Sequence, residues 1–184
     1  MGRCVDIRNS GKYIFLGGTR SGKSCLAEQW IATRHSETRY VATAPKAWIK
    51  TDPDFARRVA DHQRRRGANW QTVELGSSED IYGLIENAEI PTVVDSVGGW
   101  LAHDIDFVPD LERLKAVILK CGVPLSFVAE EAGLSVHPET QVARRYVDLL
   151  GQTNQLIADC VDRVFFVAAG RVTELFSPAF LGDK

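Results

Sequence analysis

Short apolar runs alternate along the chain with longer stretches whose apolar residues recur every three or four positions. The short runs predict buried strands, and the alternating run Gln71–Leu75 predicts an edge strand. The predicted strands are Tyr13–Leu16, Tyr40–Thr43, Gln71–Leu75, Thr92–Val94, Pro124–Ala129 and Arg163–Val167. The longer stretches predict helices at Lys23–His35, Pro53–Arg66, Ser77–Ile85, Asp110–Cys121 and Glu139–Val161.

The regular alternation of strands and helices indicates the fold class. It predicts an α/β fold with a mostly parallel central sheet and helices on both faces. After the last core strand, Gly170 predicts a turn into a C-terminal antiparallel hairpin with Val172–Leu175. No repeat or linker interrupts the pattern. We therefore interpret residues 13–184 as a single domain that follows an N-terminal extension, residues 1–12.

Composition and charge limit the classes of partner. The 184 residues carry a net charge of −2, and 45% of them are hydrophobic. Because no basic field covers the chain, we expect neither nucleic acid nor a membrane as a partner. The four cysteines are scattered, which argues against a disulfide framework or a zinc site. No apolar stretch has the length of a signal or a membrane span, so a cytoplasmic location is expected.

One motif carries strong chemical information. Residues Gly17–Ser24 read GGTRSGKS, the phosphate-loop pattern G-x-x-x-x-G-K-[ST] between a predicted strand and a predicted helix. Its backbone N–H groups are expected to wrap a phosphate, with Lys23 neutralising the β- and γ-phosphates and Ser24 holding Mg²⁺. The loop makes the expected fold a P-loop NTPase (RecA-like) fold. The predicted nucleotide-binding residues of the loop are Gly17, Gly18, Thr19, Arg20, Ser21, Gly22, Lys23 and Ser24.

A carboxylate follows the fourth predicted strand. The segment Thr92–Asp95 reads TVVD, an apolar strand that ends in an acid. This arrangement is typical of a Walker B aspartate, which orients Mg²⁺ or one of its waters. The alternative is that Asp95 only caps the helix that follows.

Further short blocks follow the phosphate loop in order. They are Tyr40–Ala44, Arg58–His62 with Arg66, Trp70, Thr72 and Glu74, Asp95 with Trp100 and Leu101, Glu131 with Gly133 and Pro138, Ala143, Arg144 and Gly151 with Asn154 and Gln155, Ala158 with Asp159, and Val167–Gly170. Together with Arg20 and Ser21 inside the loop, this ordered set resembles the bifunctional adenosylcobinamide kinase / adenosylcobinamide-phosphate guanylyltransferase family of cobalamin (vitamin B12) biosynthesis. The resemblance runs from about Tyr13 to Gly170.

The resemblance implies two consecutive reactions. ATP or GTP phosphorylates the aminopropanol hydroxyl of adenosylcobinamide. GTP then transfers GMP to a histidine with release of pyrophosphate, and the phosphorylated cobinamide takes the GMP to become adenosylcobinamide-GDP. The expected substrates are therefore GTP, ATP and adenosylcobinamide, with Mg²⁺ as the metal. The family also implies a homo-oligomer, a trimer.

Residue by residue, the resemblance aligns His62 with the nucleophilic histidine. The predicted catalytic residues are His62, Lys23 and Glu131, the last as a general base for the kinase step. The predicted nucleotide-binding residues outside the loop are Ala42, Thr43, Ala44, Gln63, Arg64, Arg65, Arg66, Glu74 and Asp95, and the predicted metal ligands are Ser24 and Asp95.

The chemistry of these residue types supports the same interpretation. A neutral imidazole is a good nucleophile at phosphorus, and the arginines after His62 can screen a triphosphate. In the alternative interpretation His62 is a half-buried helix residue and the arginines are a solvated face. For the acids Glu130 and Glu131, the alternative to a general-base role is a purely electrostatic one.

Four positions depart from the family pattern. Gln63 stands where the family has Arg, Gly67 where it has Pro, Glu130 where it has Asn, and Val147 where it has Arg. Two lost positive charges and one added negative charge are expected to weaken anion binding. Nucleotide binding is therefore better supported by the sequence than either transfer reaction.

Two further hypotheses remain open from the sequence. One is a P-loop small-molecule kinase without a guanylyl-histidine step. The other is a non-catalytic GTP-binding regulatory protein descended from the enzyme. Covalent labelling by GTP that carries label in its α-phosphate distinguishes the three.

Overall fold

The computed structural model describes residues 11–104, 108–134 and 138–178. Most of the predicted N-terminal extension, residues 1–10, lies outside this range. The described residues form a seven-stranded sheet with helices on both faces. The strands are β1 (Lys12–Gly17), β2 (Thr38–Ala42), β3 (Trp70–Glu74), β4 (Thr92–Asp95), β5 (Leu125–Glu130), β6 (Arg163–Ala168) and β7 (Arg171–Leu175).

The helices agree with the five predicted ones and add two short ones. They are α1 (Lys23–Ala32), α2 (Lys46–Thr51), α3 (Pro53–Arg65), α4 (Asp80–Glu86), α5 (Val97–Leu101), α6 (Leu111–Lys120) and α7 (Gln141–Cys160). Neither α2 nor α5 was predicted, because helices of six and five residues are too short to show a helical period.

Local side chains explain where several helices begin. The side chains of Asp52, Asp110 and Thr140 accept backbone N–H groups and cap α3, α6 and α7. Helix α4 starts later than predicted because the Asp80 carboxylate accepts the backbone N–H of Ser77 at 2.8 Å. That bond folds the preceding residues into a turn.

The sheet has the order β3-β2-β4-β5-β1-β6-β7. All neighbouring strands are parallel except β6 and β7, which pair antiparallel. The predicted edge strand at Gln71–Leu75 is therefore correct, as is the C-terminal hairpin. The hairpin turns at Ala169 and Gly170, whose φ angles of 50° and 69° are left-handed.

Two apolar cores cover the two faces of the sheet. Alternate residues of a strand point to opposite faces, so Ile14 packs into the larger core while Phe15 packs into the smaller one. The larger core includes buried residues of α4, α5, α6 and α7, and the smaller one is closed by Ala27 and Ile31 of α1. No helix of the described ranges is long and apolar enough to cross a membrane.

Strand register brings five chain segments to one edge of the sheet. Gly17 lies opposite Glu130, Asp95 lies opposite Ala42, and Ala42 lies opposite Glu74. These residues end their strands, so the carboxyl edge carries the phosphate loop, the acids and the strand that precedes α2. Open α/β sheets bind their ligands at this edge.

The larger core predicts a position-dependent loss of stability. Phe127 is 1% exposed at the centre of β5, and replacing it by Ala should lower the free energy of unfolding by about 3–5 kcal/mol. Leu119 on α6 is 56% exposed, and Leu119→Ala should change the same quantity by about 0.5 kcal/mol. Urea titration of both variants measures the difference. Similar losses in the two variants would contradict this account of the core.

Candidate active site

The phosphate loop connects β1 to α1 and has the conformation its glycines allow. Gly22 caps α1 with a φ of 96°, a left-handed angle that favours glycine. Lys23 is only 8% exposed, and its Nζ donates to the backbone oxygen of Gly18 at 3.2 Å. Among the described residues it forms no ion pair. A buried ammonium group whose partner is a neutral carbonyl favours an anionic ligand.

Two neighbouring loops hold the phosphate loop in place. The backbone N–H of Gly170 donates to the oxygen of Ser21 at 2.9 Å, and that of Glu131 donates to the oxygen of Gly17 at 3.2 Å. A Cβ on Gly17 would lie 2.3 Å from the backbone oxygen of Val167, so a side chain at this position would displace the loop. The segment Val167–Gly170, the last block of the family resemblance, therefore supports the phosphate loop directly.

Asp95 ends β4 and does not cap the next helix. The cap of α5 is Ser96, whose hydroxyl accepts the backbone N–H of Gly99 at 3.1 Å. The Asp95 carboxylate instead accepts the Tyr40 hydroxyl at 2.9 Å. Burial, and then the nearby Asp95 carboxylate, raises the pKa of Tyr40 well above its usual range. The capping alternative is therefore wrong, and Asp95 faces the site.

His62 lies on α3 with one nitrogen turned toward two acids. Its Nδ1 is 3.1 Å from Oε1 of Glu28 and 3.9 Å from Oδ2 of Asp95. Glu28 belongs to α1 and is 5% exposed, whereas the His62 side chain is 25% exposed. No hydrogen bond of His62 Nε2 occurs within the described part of the chain. His62 is thus half-buried, with its second nitrogen free of protein partners there.

The three arginines after His62 differ in their surroundings. Arg64 pairs with Asp61 on the solvent side of α3, and 74% of its side chain is exposed. Arg65 Nε lies 3.4 Å from the Glu28 carboxylate. Arg66 stacks over the Tyr40 ring at 3.6 Å, and one of its terminal nitrogens is buried without a hydrogen-bond partner among the described residues. The solvated-face interpretation therefore describes Arg64 but not the other two.

A cavity of about 750 Å³ joins the loop, α3 and the carboxyl ends of the strands. Its lining includes most of the predicted site, namely Thr19, Arg20, Ser21, Gly22, Lys23, Ser24, Ala42, Ala44, His62, Gln63, Arg65, Arg66, Glu74 and Asp95. The predicted residues outside the lining are Gly17, Gly18, Thr43, Arg64 and Glu131. Thr43 is buried, and its hydroxyl exchanges hydrogen bonds with the Ser96 backbone at 2.6 and 2.7 Å.

The two adjacent acids after β5 have different environments. Glu130 lines the cavity, and its carboxylate accepts the backbone N–H of Gly98 at 3.0 Å. Glu131 turns back on its own loop, where its carboxylate accepts the backbone N–H of Gly133 at 3.1 Å. A general-base role for Glu131 stays a prediction, and Glu130 is the acid of this pair that faces the cavity.

Sequence reasoning gave no role to several residues in or beside the cavity, among them Arg58, Lys46 and Glu28. Arg58 lines the cavity one helical turn before His62, and Lys46 lies 2.7 Å from the Glu74 carboxylate. Glu28 carried the clearest signal, since it falls four residues after Ser24, at the spacing of one helix face. A carboxylate on the buried face of a helix requires a partner. The identity of that partner depends on the fold.

The fold and the loop define the class of protein: it is a P-loop nucleotide-binding protein of RecA-like architecture. Two solved structures resemble it in fold, the KaiC-like protein PH0186 of Pyrococcus horikoshii and the flagellar accessory protein FlaH of Methanocaldococcus jannaschii. Their TM-scores are 0.51 and 0.52 at 17% and 13% identity, and the matches cover 86% and 91% of this chain and 71% and 77% of theirs. The chain belongs to the cobinamide kinase / cobinamide phosphate guanyltransferase family, whose model matches residues 13–175.

Curated relatives agree with this assignment over most of their length. The bifunctional adenosylcobalamin biosynthesis protein CobP of Pseudomonas aeruginosa is 36% identical over 166 residues, which cover 85% of this chain and 92% of the relative. The protein CobU of Escherichia coli, described in the same words, is 29% identical over 177 residues, with 85% and 95% covered. The chain is therefore a transferase of cobalamin biosynthesis, as the resemblance implied.

The surroundings of Glu130 predict a response of stability to alkaline pH. Burial, and then the Glu130 charge, raises the pKa of Tyr146 to about 12. An unfolded tyrosine ionises near pH 10, so between about pH 10 and 12 only the unfolded chain loses this proton, and the free energy of unfolding falls as pH rises. Tyr146→Phe should remove up to about 1.4 kcal/mol per pH unit of that decline.

Denaturant titrations of wild type and Tyr146→Phe at about pH 8 and about pH 11 measure this effect, the lower pH serving as the baseline. Identical declines in the two proteins would show that the Tyr146 hydroxyl ionises as easily in the fold as in the unfolded chain.

Proposed function

We propose that this protein phosphorylates adenosylcobinamide with ATP or GTP and then transfers GMP to the product through His62. The observation that carries the proposal is one cavity lined by Lys23, Asp95 and His62, in which Nε2 of His62 has no partner among the described residues. A phosphate cradle, an acid and a nucleophile in one cavity are the groups that nucleotidyl transfer requires.

The proposed guanylyl transfer consists of two displacements at the α-phosphorus of GTP. In the first, the Nε2–P bond forms, the bond from the α-phosphorus to the bridging oxygen breaks, and pyrophosphate leaves. In the second, a phosphate oxygen of the phosphorylated cobinamide attacks the same phosphorus and the N–P bond breaks. The products are adenosylcobinamide-GDP and free His62, so one difficult step becomes two easier ones.

The position of GTP follows from the order of strand ends along the edge. Neighbouring strands lie about 4.8 Å apart, so Asp95 lies roughly 10 Å from Glu74, which is in register with it two strands away. Gly17 is two strands away on the other side and two residues further along, since Asp95 pairs with Val128 and Gly17 with Glu130, so it lies roughly 12 Å from Asp95. We propose that the β- and γ-phosphates occupy the loop, the α-phosphate meets His62 beside Asp95, and the guanine reaches Glu74. Arg58 and Arg66 each have a buried nitrogen without a partner in the described chain, which supports an anionic ligand near these side chains.

The pair of Lys46 and Glu74 suits guanine chemically. Its charges lie 2.7 Å apart, and both side chains line the cavity. Guanine presents an N1–H and a 2-amino group, which a carboxylate accepts, beside O6, which an ammonium can bind. Adenine lacks this pattern, so the pair favours GTP over ATP for the guanylyl step.

Ser24 and Asp95 fit the Mg²⁺ that the family implies. Both line the cavity, and a hydroxyl with a carboxylate provides the hard oxygen donors this ion takes. When bound, Mg²⁺ neutralises charge on the phosphate oxygens. For the kinase step, the position of Glu130 in the cavity favours it over the predicted Glu131 as the group that takes the proton of the acceptor hydroxyl.

The remaining predictions concern assembly and location. We propose a homo-oligomer, a trimer as the family implies, acting in the cytoplasm on small-molecule substrates. Light scattering of the purified protein tests the number of subunits.

The proposed covalent step predicts that the protein itself becomes labelled by GTP. With Mg²⁺ and GTP labelled at the α-phosphate, wild type should retain acid-labile, alkali-stable label, and His62→Ala should retain none while still binding GTP through Lys23. His35 does not line the cavity, so His35→Ala is the matched control and should label like wild type. Phosphoryl transfer to cobinamide without any label would favour the small-molecule kinase. GTP binding without either transfer would favour the regulatory protein.

The proposed base contact predicts a switch in nucleotide preference. Glu74→Gln should weaken GTP binding by about 10- to 100-fold, because a charged hydrogen-bond acceptor is lost. Xanthosine triphosphate has a carbonyl in place of the 2-amino group, and the new amide N–H can donate to it, so its affinity should rise. Calorimetry with both nucleotides measures the change. Glu37→Gln is a matched control on an exposed acid that does not line the cavity, and equal losses for both nucleotides in Glu74→Gln would contradict the proposal.

A further inference from the structure

We propose that Glu28 is a positioning residue that keeps the His62 proton on Nδ1, so that GMP is carried on Nε2. The inference rests on the proposed function, because it concerns the nucleophile of the guanylyl step. Glu28 belongs to no motif of the sequence analysis. It does not line the cavity, and it affects the reaction through its contact with His62.

The contact between the two residues determines which nitrogen is free to react. Oε1 of Glu28 lies 3.1 Å from Nδ1, and Oδ2 of Asp95 lies 3.9 Å from the same atom. Ionised carboxylates only accept hydrogen bonds, so an Nδ1 lone pair would face two negative oxygens. The imidazole avoids this repulsion by carrying its proton on Nδ1. The lone pair is then on Nε2, the nitrogen without a partner among the described residues.

The surroundings of Glu28 keep its carboxylate in place. Glu28 is 5% exposed on α1, the helix that begins at the phosphate loop. Arg65 approaches both carboxylate oxygens, at 3.4 and 3.5 Å, from the same helix as His62. The buried Glu28 carboxylate therefore contacts His62 and Arg65, two side chains of α3, and connects that helix to α1. The distance between the loop and the nucleophile is set through this acid.

The same contact assists the transfer chemically. When Nε2 bonds to the α-phosphorus and pyrophosphate leaves with the electron pair of the broken bond, the ring becomes a cation that keeps its proton on Nδ1. No proton needs to leave, and the Glu28 carboxylate stabilises the new positive charge. When the cobinamide phosphate attacks, the electron pair of the N–P bond returns to Nε2, and the neutral Nδ1–H ring is restored.

Two measurements on the full chain test the inference. The first is the tautomer of His62 in the nucleotide-free protein, read from nitrogen-15 NMR of the neutral imidazole. The second is the attachment site of GMP after reaction with GTP, read from phosphorus–nitrogen coupling in protein with labelled histidine. The expected results are a proton on Nδ1 and GMP on Nε2. A proton on Nε2, or GMP on Nδ1, would overturn the inference.

Substitutions separate positioning from folding. Glu28→Gln keeps an acceptor but loses the charge, and Glu28→Ala loses both. We expect the single-turnover rate of guanylylation to fall in Glu28→Gln and to fall further in Glu28→Ala, by about 10- to 100-fold, as for other groups that orient a histidine. GTP affinity should stay near wild type, because Glu28 does not line the cavity. Glu112→Gln on the outer face of α6 is the matched control.

The outcomes distinguish this inference from the proposed function. An Nδ1 proton in wild type without any covalent label would contradict the guanylyl-histidine step but leave the Glu28–His62 contact supported. Covalent label formed at the wild-type rate in both Glu28→Gln and Glu28→Ala would contradict the role of Glu28 and leave the guanylyl step intact. Loss of GTP affinity in Glu28→Ala would indicate a structural role for Glu28 in that variant. The tautomer of His62 in Glu28→Gln then decides between a structural and a positioning role.

Discussion

The parallel pairing of β3, β2, β4, β5 and β1 is the constraint on which the rest of the molecule depends. Parallel strands end at the same edge, so residues far apart in the chain become neighbours there. Glu74, Ala42 and Asp95 lie opposite one another at the ends of β3, β2 and β4, and Glu130 and Gly17 lie opposite each other two residues further along β5 and β1. The phosphate loop at one end and α3 above the middle then enclose the cavity.

The burial of two charged side chains is the second constraint. Lys23 and Glu28 are both almost fully buried, and burial of an unpaired charge is costly. Glu28 is compensated by His62 and Arg65. Lys23 has a carbonyl oxygen as its partner within the described structure, which leaves it suited to a phosphate. Glu28, with two partners, thus connects α1 to α3. Lys23, whose described partner is an uncharged carbonyl, favours an anionic ligand.

The departure at Glu130 has a structural explanation that composition did not suggest. Its carboxylate accepts the backbone N–H of Gly98, and its backbone oxygen accepts the side chain of Asn154 at 3.0 Å. A Cβ on Gly98 would lie 2.3 Å from the same carboxylate, so the glycine makes room for the acid. The added negative charge is therefore partly compensated, and the expected weakening of anion binding is smaller than a count of charges implies.

How much of this could be read from the sequence differs between fold and site. The strands, the five longer helices, the hairpin and the phosphate loop were predictable, because apolar period and glycine spacing are local properties of the chain. Helices α2 and α5 were not, because five or six residues do not complete two helical turns. The family was predictable from ordered blocks, none of which is specific alone.

By itself, therefore, the sequence determined the fold class and the phosphate-loop motif, and it predicted the residue types of the candidate site. Only the tertiary structure decided how those residues are paired: Glu28 with His62, Tyr40 with Asp95, Lys46 with Glu74, and Glu130 rather than Glu131 at the cavity. The reason is physical. A hydrophobic period and a turn depend on a few adjacent positions of the chain. A contact between side chains of different helices or strands depends on register and packing, which the whole sheet sets.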